Sequence, residues 1–239
     1  MTKLKEIFQV EKPIIGMIHL AGNNKKEILN RALKELTIYQ EKGVDGAIIE
    51  DYHGSSEDVQ RVLKHSQKGF NIARGINILQ NPYSAFKLAN KFGAKFIQFD
   101  SVQTTNLILT GLDQYNTLKD KYADIAVLGG VGFKYIQPTG NPLETDLEEA
   151  RQRCEAIVTT GEGTGIETPL NKLIQYKRLL NDFPLIVGAG VNLENIAAQL
   201  TLTDGAIIGS YFKPHSNTQL PVDKSKVKDL MDIVKMLRD

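Results

Sequence analysis

Two short segments near the end of the chain carry glycines in a pattern suited to binding an anion. Residues 188–192 read GAGVN and residues 207–210 read IIGS, and each follows an apolar run typical of a buried strand. Glycines let the backbone turn and direct N–H groups outward, and a helix capped by Asn192 would add a partial positive charge. We therefore predict a phosphate site formed by Gly188, Gly190, Asn192, Gly209 and Ser210. The alternative is that these glycines only make tight turns.

A third segment, residues 159–165 (TTGEGTG), is rich in glycine and hydroxyl groups. Thr164 and the nearby backbone amides could extend the same anion site. The segment could equally act as a mobile lid.

Ionisable and polar residues end several other apolar runs. Glu50 and Asp100 are the candidates for proton exchange at a carbon next to a carbonyl, and we expect them on opposite sides of one opening. His19, which could polarise a carbonyl or act as a general acid, and Lys134, which could supply a Schiff-base amine or a counter-charge to phosphate, are the other catalytic candidates. Together with Asn77 they would orient the substrate. For each residue a structural hydrogen bond, or for Lys134 a solvated loop position, is the alternative.

Composition and motifs argue against several functions. A net charge of +1 gives no general case for nucleic-acid binding, and the single cysteine, Cys154, has no paired spacing. A metal between His19, Glu50, Asp51 and Asp100 is conceivable, but no HxH or HExxH spacing supports it. The absence of GxGxxG after the first strand, of GxSxG and of a P-loop disfavours nicotinamide, serine-hydrolase and nucleotidase chemistry. We expect neither a metal nor an organic cofactor.

The candidate residues stand at the ends of regularly spaced strands. We predict eight strands, separated by amphipathic segments, at residues 13–20, 45–51, 75–79, 94–100, 125–133, 155–160, 184–190 and 204–210. Repeated βα units of this number and length are typical of an α/β fold, a (β/α)8 TIM barrel, in which all strand ends converge on one face. The predicted helices cover residues 25–43, 56–69, 81–93, 169–183, 192–200 and 222–239.

The chain of 239 residues has no linker-like segment, so we predict one barrel domain over residues 1–239. The N-terminus lacks the apolar core of a secretory signal, and no run of about 18 apolar residues occurs, which predicts a cytoplasmic protein without membrane insertion. A homo-oligomer is the default expectation.

The order and wording of the strand-end segments resemble the BtpA/SgcQ family. The resemblance rests on segments spread over nearly the whole chain: KPIIGMIHL, GVDGAIIEDY, GINIL with Gln80 and Asn81, GAKFIQFD, AIVTT with GTG, VGAGVNLEN and DGAIIGSYFK. It implies a barrel similar to the ribulose-phosphate-binding enzymes, with the phosphate site at Gly188, Gly190, Gly209 and Ser210. It implies no settled reaction, because family members are known chiefly as assembly factors for photosynthetic membrane complexes or in sugar metabolism.

The sequence departs from the family pattern at several places. The segment after HL lacks a proline-rich loop, and Asp100 stands where Asn is usual. Gly130 and Tyr135 stand where Asp and His are common, whereas Lys134 is retained. These changes weaken any acid/base role for strand five.

Three functions follow from these features. The first is an enzyme of isomerase or epimerase type that acts on a phosphorylated, sugar-like metabolite. The second is a non-catalytic assembly factor for a membrane protein complex, which a large exposed apolar patch would favour. The third is a nucleoside- or nucleobase-linked transferase, for which Tyr52, Tyr135 or Tyr211 would supply a stacking ring.

Overall fold

The eight strands close into a parallel barrel in which each strand pairs with its neighbours in chain order, and β8 pairs with β1. A computed structural model describes residues 3–238, so the predicted domain limits, residues 1 and 239, lie outside the described residues. The predicted (β/α)8 fold is confirmed. The strands are β1 Ile14–His19, β2 Gly46–Glu50, β3 Ala73–Asn77, β4 Phe96–Phe99, β5 Ala126–Gly130, β6 Ala156–Thr160, β7 Leu185–Gly188 and β8 Ala206–Ile208.

Helices connect the strands and pack around the barrel. They are α1 Lys3–Phe8, α2 Lys25–Glu41, α3 Ser56–His65, α4 Ser84–Phe92, α5 Thr104–Thr110, α6 Leu112–Lys121, α7 Leu143–Arg151, α8 Leu170–Leu180, α9 Ile196–Leu202 and α10 Lys224–Arg238. A short 3-10 turn, Ser210–Phe212, follows β8 directly. Local chemistry explains several helix ends: Asn24 caps α2, Ser55 and Asp58 form a capping box on α3, and Gly93 ends α4 with a left-handed φ of 71°.

Alternate residues of each strand face the barrel interior. Ile15 and Met17 of β1 belong to the interior cluster, together with Ile48, Phe96 and Leu128 from other strands. The intervening residues pack against the helices in a second, larger core. Because side chains repeat every two residues, the last inward-facing residue of each strand must lie at the open end of the barrel.

Helix α1 covers the opposite end of the barrel. Leu4 and Phe8 are buried in the interior cluster, and the Phe8 ring meets the Phe96 ring edge-on at 5.3 Å between centroids. Helix α1 was not predicted, because its six residues are too few to show a helical repeat of apolar side chains. Helices α5, α6 and α7 were also not predicted.

Three predicted boundaries were wrong in ways that matter for the site. Strand β5 ends at Gly130, not at residue 133, since Gly132 takes a left-handed φ of 57° that breaks the extended backbone. Strand β3 starts two residues earlier than predicted and ends at Asn77. Helix α9 begins at Ile196, with Asn195 before it, rather than directly after Asn192.

Candidate functional site

Strand register aligns three of the predicted residues in one row at the open end of the barrel. His19 of β1 pairs with Glu50 of β2, and Glu50 pairs with Asn77 of β3. All three residues are at most 5% exposed. The row follows directly from the inward-facing periodicity of the three strands.

Glu50 and Asp100 belong to one hydrogen-bonded cluster. The Asn77 amide nitrogen donates to Glu50 Oε1 at 2.9 Å and to Asp100 Oδ1 at 3.1 Å. Gln98 Nε2 donates to the same Asp100 oxygen at 2.8 Å. The expectation that the two carboxyl groups face each other across the opening was therefore wrong, because β2 and β4 are separated only by β3, whose Asn77 bridges them.

The surroundings of Glu50 and Asp100 affect the pKa values of the two carboxyl groups differently. Burial, with the nearby charge of Asp100, raises the pKa of Glu50 to about 8, so Glu50 is largely protonated at neutral pH. Burial also raises the pKa of Asp100, but the amide donors of Gln98 and Asn77 act in the opposite direction and favour its charged form. At neutral pH Glu50 therefore holds a proton, whereas two amide donors favour the charged form of Asp100.

His19 lies beside Glu50 as a neutral ring. Its Nε2 is 3.6 Å from Glu50 Oε2. Burial lowers the pKa of His19 well below its usual value, and the positive charges of Lys213 and Lys134 act in the same direction. Its Nδ1 is buried and has no hydrogen-bond partner among residues 3–238. A neutral imidazole in this position can polarise a carbonyl without adding charge.

The hydroxyl group of Thr164 connects the loop after β6 to residues on other sides of the barrel opening. Its hydroxyl lies 3.2 Å from Lys134 Nζ, 3.3 Å from Tyr52 Oη and 3.4 Å from Tyr135 Oη. The backbone N–H of Lys134 donates to Thr160 Oγ1 at 2.7 Å, which ties the β5 loop to the end of β6. This arrangement fits the lid alternative for residues 159–165 and places Lys134 over the opening.

Close packing explains two of the predicted glycines. Gly190 has a left-handed φ of 66°, and a Cβ atom there would lie 2.3 Å from the backbone of Glu167 in the β6 loop. A Cβ atom at Gly209 would lie 2.8 Å from Cε1 of His19. Both glycines are thus required by neighbouring protein atoms, whatever ligand their N–H groups bind.

Asn192 makes the contacts of a helix N-cap. Its side-chain oxygen accepts from the N–H groups of Glu194 and Asn195 at 2.8 and 3.2 Å, and its backbone oxygen accepts from the N–H of Ile196 at 3.0 Å. The regular helix α9 begins only at Ile196, so the predicted capping contacts are present and the predicted start of the helix was wrong.

Most of the predicted residues line one small cavity at the barrel opening, which we call the mouth cavity. It has a volume of about 40 Å³ and is lined by His19, Glu50, Lys134, Thr164, Gly188, Gly190, Gly209 and Ser210. Asn77 and Asp100 line a neighbouring cavity of about 610 Å³, which we call the side cavity. Asn192 lines an outer notch of about 360 Å³, to which Gly190 and Ser210 also contribute.

Sequence reasoning missed part of the site. Gln98 lines the mouth cavity and donates to Asp100, and the two-residue spacing between them on β4 was the available signal. A buried ion pair behind His19 gave no such signal. Lys213 Nζ, fully buried, lies 3.1 Å from both carboxylate oxygens of Glu35, and Arg31 Nε also reaches Glu35 at 3.1 Å.

The three tyrosines proposed as stacking groups surround the opening in different ways. Tyr52 meets the His19 ring edge-on at 5.2 Å, and Tyr135 lines the side cavity with 70% of its surface exposed. Tyr211 lines the outer notch beneath the ammonium group of Lys226, 5.1 Å from the ring centroid. Tyr135 is the most available of the three for a ligand.

Two further structural observations concern the whole described chain. Within residues 3–238, no three His, Cys, Asp or Glu side chains are arranged to hold a metal ion. No helix in the same residues has both the length and the apolar composition needed to cross a membrane.

The barrel and its strand-end cluster place the protein among the parallel (β/α)8 barrels with a polar site at the carboxyl ends of the strands. Residues 10–236 match the BtpA family, and the chain belongs to that family. The photosystem I biogenesis protein BtpA of Synechocystis is 27% identical, with 96% of this chain and 90% of the relative covered. The putative sgc region protein SgcQ of Escherichia coli is 22% identical over the full length of both chains.

Solved structures of two enzymes share the fold of this chain. N-(5'-phosphoribosyl)anthranilate isomerase from Pyrococcus furiosus has a TM-score of 0.62 at 15% identity, covering 94% of this chain and 99% of the other. The tryptophan synthase alpha subunit of Legionella pneumophila has a TM-score of 0.66 at 13% identity, covering 99% of both chains. At these identities the comparison establishes the fold alone.

Proposed function

We propose that the protein is an enzyme that binds a phosphorylated, sugar-like metabolite and transfers a proton at a carbon next to its carbonyl group. The observation that carries this proposal is the lining of the mouth cavity. The predicted phosphate loops, at Gly188, Gly190, Gly209 and Ser210, border the same space as Glu50 and His19. A phosphate on these loops would hold the rest of a small substrate against the acid/base cluster.

Local electrostatics support an anionic ligand. The positive charges of Lys213, Lys134 and Arg31 all lower the pKa of His19. Glu35 is the carboxylate that accepts hydrogen bonds from Lys213 and Arg31. The first N–H groups of the 3-10 turn at Ser210 and Tyr211 have no partner within the turn itself. A phosphate between the β7 and β8 loops would therefore meet backbone donors in a positive field.

The chemistry follows from the two protonation states. Asp100, as carboxylate, removes the proton from the carbon, and protonated Glu50 donates its proton to the carbonyl oxygen, which gives an enediol. Return of a proton to the neighbouring carbon, or to the other face, completes isomerisation or epimerisation. Asn77 holds both carboxyl groups in place, and neutral His19 polarises the carbonyl.

The mouth cavity is too small for a sugar phosphate while Thr164 holds its loop closed. A volume of about 40 Å³ accommodates only a few water molecules. Substrate entry therefore requires the β6 loop to release its bonds to Lys134 and Tyr52, and the same bonds would close the site against water after binding.

Deuterium incorporation tests the proposal without knowledge of the product. The protein is incubated in D2O with a panel of aldose and ketose phosphates, and NMR follows exchange of the proton next to the carbonyl. We expect exchange with at least one phosphorylated sugar, none with its unphosphorylated form, and at least 100-fold slower exchange in Asp100→Asn. Exchange that is as fast in Asp100→Asn and in Glu50→Gln as in the wild-type protein would contradict the proposed roles.

The assembly-factor alternative is supported by a different observation. Ile108 and Leu109 of α5 are 63% and 82% exposed, and the Synechocystis relative is named a photosystem I biogenesis protein. A photoreactive residue at position 108 would then crosslink to one partner protein in cells, and the same residue at the exposed Ile174 of α8 would not. Equal labelling at both positions would contradict this alternative.

A further inference from the structure

The side cavity adjoins the acid/base cluster but differs from the mouth cavity in size and chemistry. Its volume of about 610 Å³ lies in the range of small-molecule sites. The loops after β3 and β4, helix α5 and the β5 loop surround it. None of the proposed phosphate-binding residues lines this cavity, so the phosphate proposal leaves it without a ligand.

Part of the wall of the side cavity is formed by apolar side chains that are exposed. Leu109 is 82% exposed, Tyr135 70% and Leu79 40%, and all three line the cavity. The Tyr83 ring, which stands edge-on to Phe99 at 5.4 Å, adds an aromatic surface. Apolar side chains that line a cavity of this size gain free energy when a planar apolar group covers them.

The lining of the side cavity includes one carboxylate, that of Asp100. Oδ1 of Asp100 accepts from both Asn77 and Gln98, whereas Oδ2 accepts no hydrogen bond from the part of the chain that the structure describes. Two neighbouring polar side chains are already engaged with each other, since Asn106 Nδ2 donates to Ser101 Oγ at 3.0 Å. A ligand with an N–H or O–H donor at its inner end would complete the bonding of Asp100.

From this geometry we propose that the side cavity binds a planar apolar group, such as an aromatic ring, that carries an N–H or O–H donor directed at Asp100 Oδ2. The inference rests on the proposed function in that this ring is the organic part of the phosphorylated substrate; Oδ2 has two lone pairs, so one accepts from the ring and the other accepts the proton from the carbon. It narrows the substrate class from sugar phosphates in general to phosphorylated compounds with an aromatic substituent. A protein segment is the less suitable occupant, because the acceptor and the apolar side chains line one cavity of the size of a small-molecule site.

Phenol and anisole form a matched pair of probes, because both carry the ring and only phenol carries the donor. Titrations of the full-length protein, followed by protein-observed NMR, should give saturable shifts for residues of α5 and the β3 loop. We expect phenol to bind about tenfold more tightly than anisole, since a hydrogen bond to a charged acceptor gives at least that factor. Equal affinities, or no saturable shift with phenol, would overturn the proposal.

Two variants with one control locate the binding. Leu109→Asp should weaken phenol binding five- to tenfold by removing apolar contact, whereas Ile174→Asp, on another exposed helix face, should leave it unchanged. Asp100→Asn keeps the Oδ1 acceptor but replaces Oδ2 with an N–H donor, so the preference for phenol over anisole should disappear. Wild-type affinity in Leu109→Asp, or a preserved preference in Asp100→Asn, would refute the assigned site.

The titration is independent of the phosphate proposal. Phenol carries no phosphate, so a protein without any phosphate site would still give the expected result. Conversely, phosphate binding with no phenol binding would remove this inference and leave the proposed function intact.

Discussion

Two carboxyl groups bridged by a single amide nitrogen define the site at the scale of residues. Glu50 and Asp100 share the Asn77 amide, yet only Asp100 has a second amide donor, Gln98. The two carboxyl groups thus differ in their hydrogen-bond partners, and this difference is the basis for the proposed acid and base roles. Two of the departures from the family pattern also meet here, since a Cβ atom at Gly130 would lie 2.0 Å from the backbone oxygen of Asp100.

The raised pKa of Glu50 predicts a pH-dependent stability. A carboxyl group whose folded-state pKa is about 8 holds its proton in the folded protein and loses it in the unfolded chain, so its contribution is fully present below pH 4.5 and lost as pH rises through 8. Between pH 6.5 and 8 the free energy of unfolding should fall by about 1 kcal/mol per pH unit. Urea denaturation at both pH values measures it.

Glu50→Gln is the matched control, because glutamine keeps the oxygen that accepts from Asn77 and cannot ionise. The wild-type slope should exceed that of the variant over this range. Neutral His19 contributes in the opposite direction near pH 6.5, where the unfolded chain binds a proton that the folded protein does not, but both proteins contain His19, so this contribution cancels when the two slopes are compared. Identical slopes for the two proteins would show that Glu50 is ionised throughout.

Contact between loops organises the site at the scale of elements. The β6 loop packs on the β7 loop at Gly190 and is fastened to Tyr52 and Lys134 through Thr164. The crowding at Gly190 comes from Glu167 of the same chain, and the phosphate site predicted from these glycines stays a prediction. Sequence alone could not distinguish a glycine needed by a ligand from one needed by a loop.

Gly190→Ala tests that contact against a glycine with the same backbone requirement. Gly140 also has a left-handed φ, 81°, but a Cβ atom there has nothing within 4 Å. Alanine at Gly140 should cost about 1 kcal/mol from backbone strain alone, and alanine at Gly190 about 1–3 kcal/mol more from overpacking. Equal losses of unfolding free energy in urea would mean that the two loops do not pack as described.

At the scale of the whole molecule, a buried ion pair links the segment after the last strand, β8, to helix α2, which follows the first strand. Lys213, after β8, bonds to Glu35 of α2, and Glu35 also accepts from the backbone of Val222. Burial lowers the pKa of Lys213 while Glu35 acts to raise it, so the pair depends on both partners. This contact fixes the segment after β8 behind His19 and the β7 and β8 loops.

The two single variants should differ. Glu35→Gln leaves the charges of Lys213 and Arg31 buried without a carboxylate and should cost about 3–5 kcal/mol, whereas Lys213→Met leaves Glu35 paired with Arg31 and should cost less. The double variant should lose less free energy of unfolding than the two single variants lose together. A larger loss from Lys213→Met in chemical denaturation would contradict this assignment.

The regular part of the molecule was predictable and the crossing contacts were not. Apolar runs and their spacing indicated all eight strands and brought His19, Glu50 and Asn77 to one end, because strand periodicity determines both. The hydrogen bonds made by Asn77, Thr164 and Lys213 join residues that are 23 to 178 positions apart in the chain. No local pattern encodes such distances. The single-domain, homo-oligomer and cytoplasmic expectations stay predictions.

Phosphate binding at the β7 and β8 loops is the claim on which the proposed function depends. Thermal unfolding is measured with inorganic phosphate and with a pentose phosphate beside the free pentose, for wild type, Ser210→Asp and Ser210→Asn. Ser210 borders both the mouth cavity and the outer notch, and aspartate and asparagine there differ in charge but hardly in size. General salt effects act equally on all three proteins.

We predict a saturable stabilisation by phosphate and pentose phosphate, close to 2.7 kcal/mol at a hundred times the dissociation constant. The free pentose should give none. The effect should largely persist in Ser210→Asn and disappear in Ser210→Asp, because a buried carboxylate repels the anion. Stabilisation of the same size in Ser210→Asp and in wild type, or none in any protein, would contradict a phosphate site at these loops.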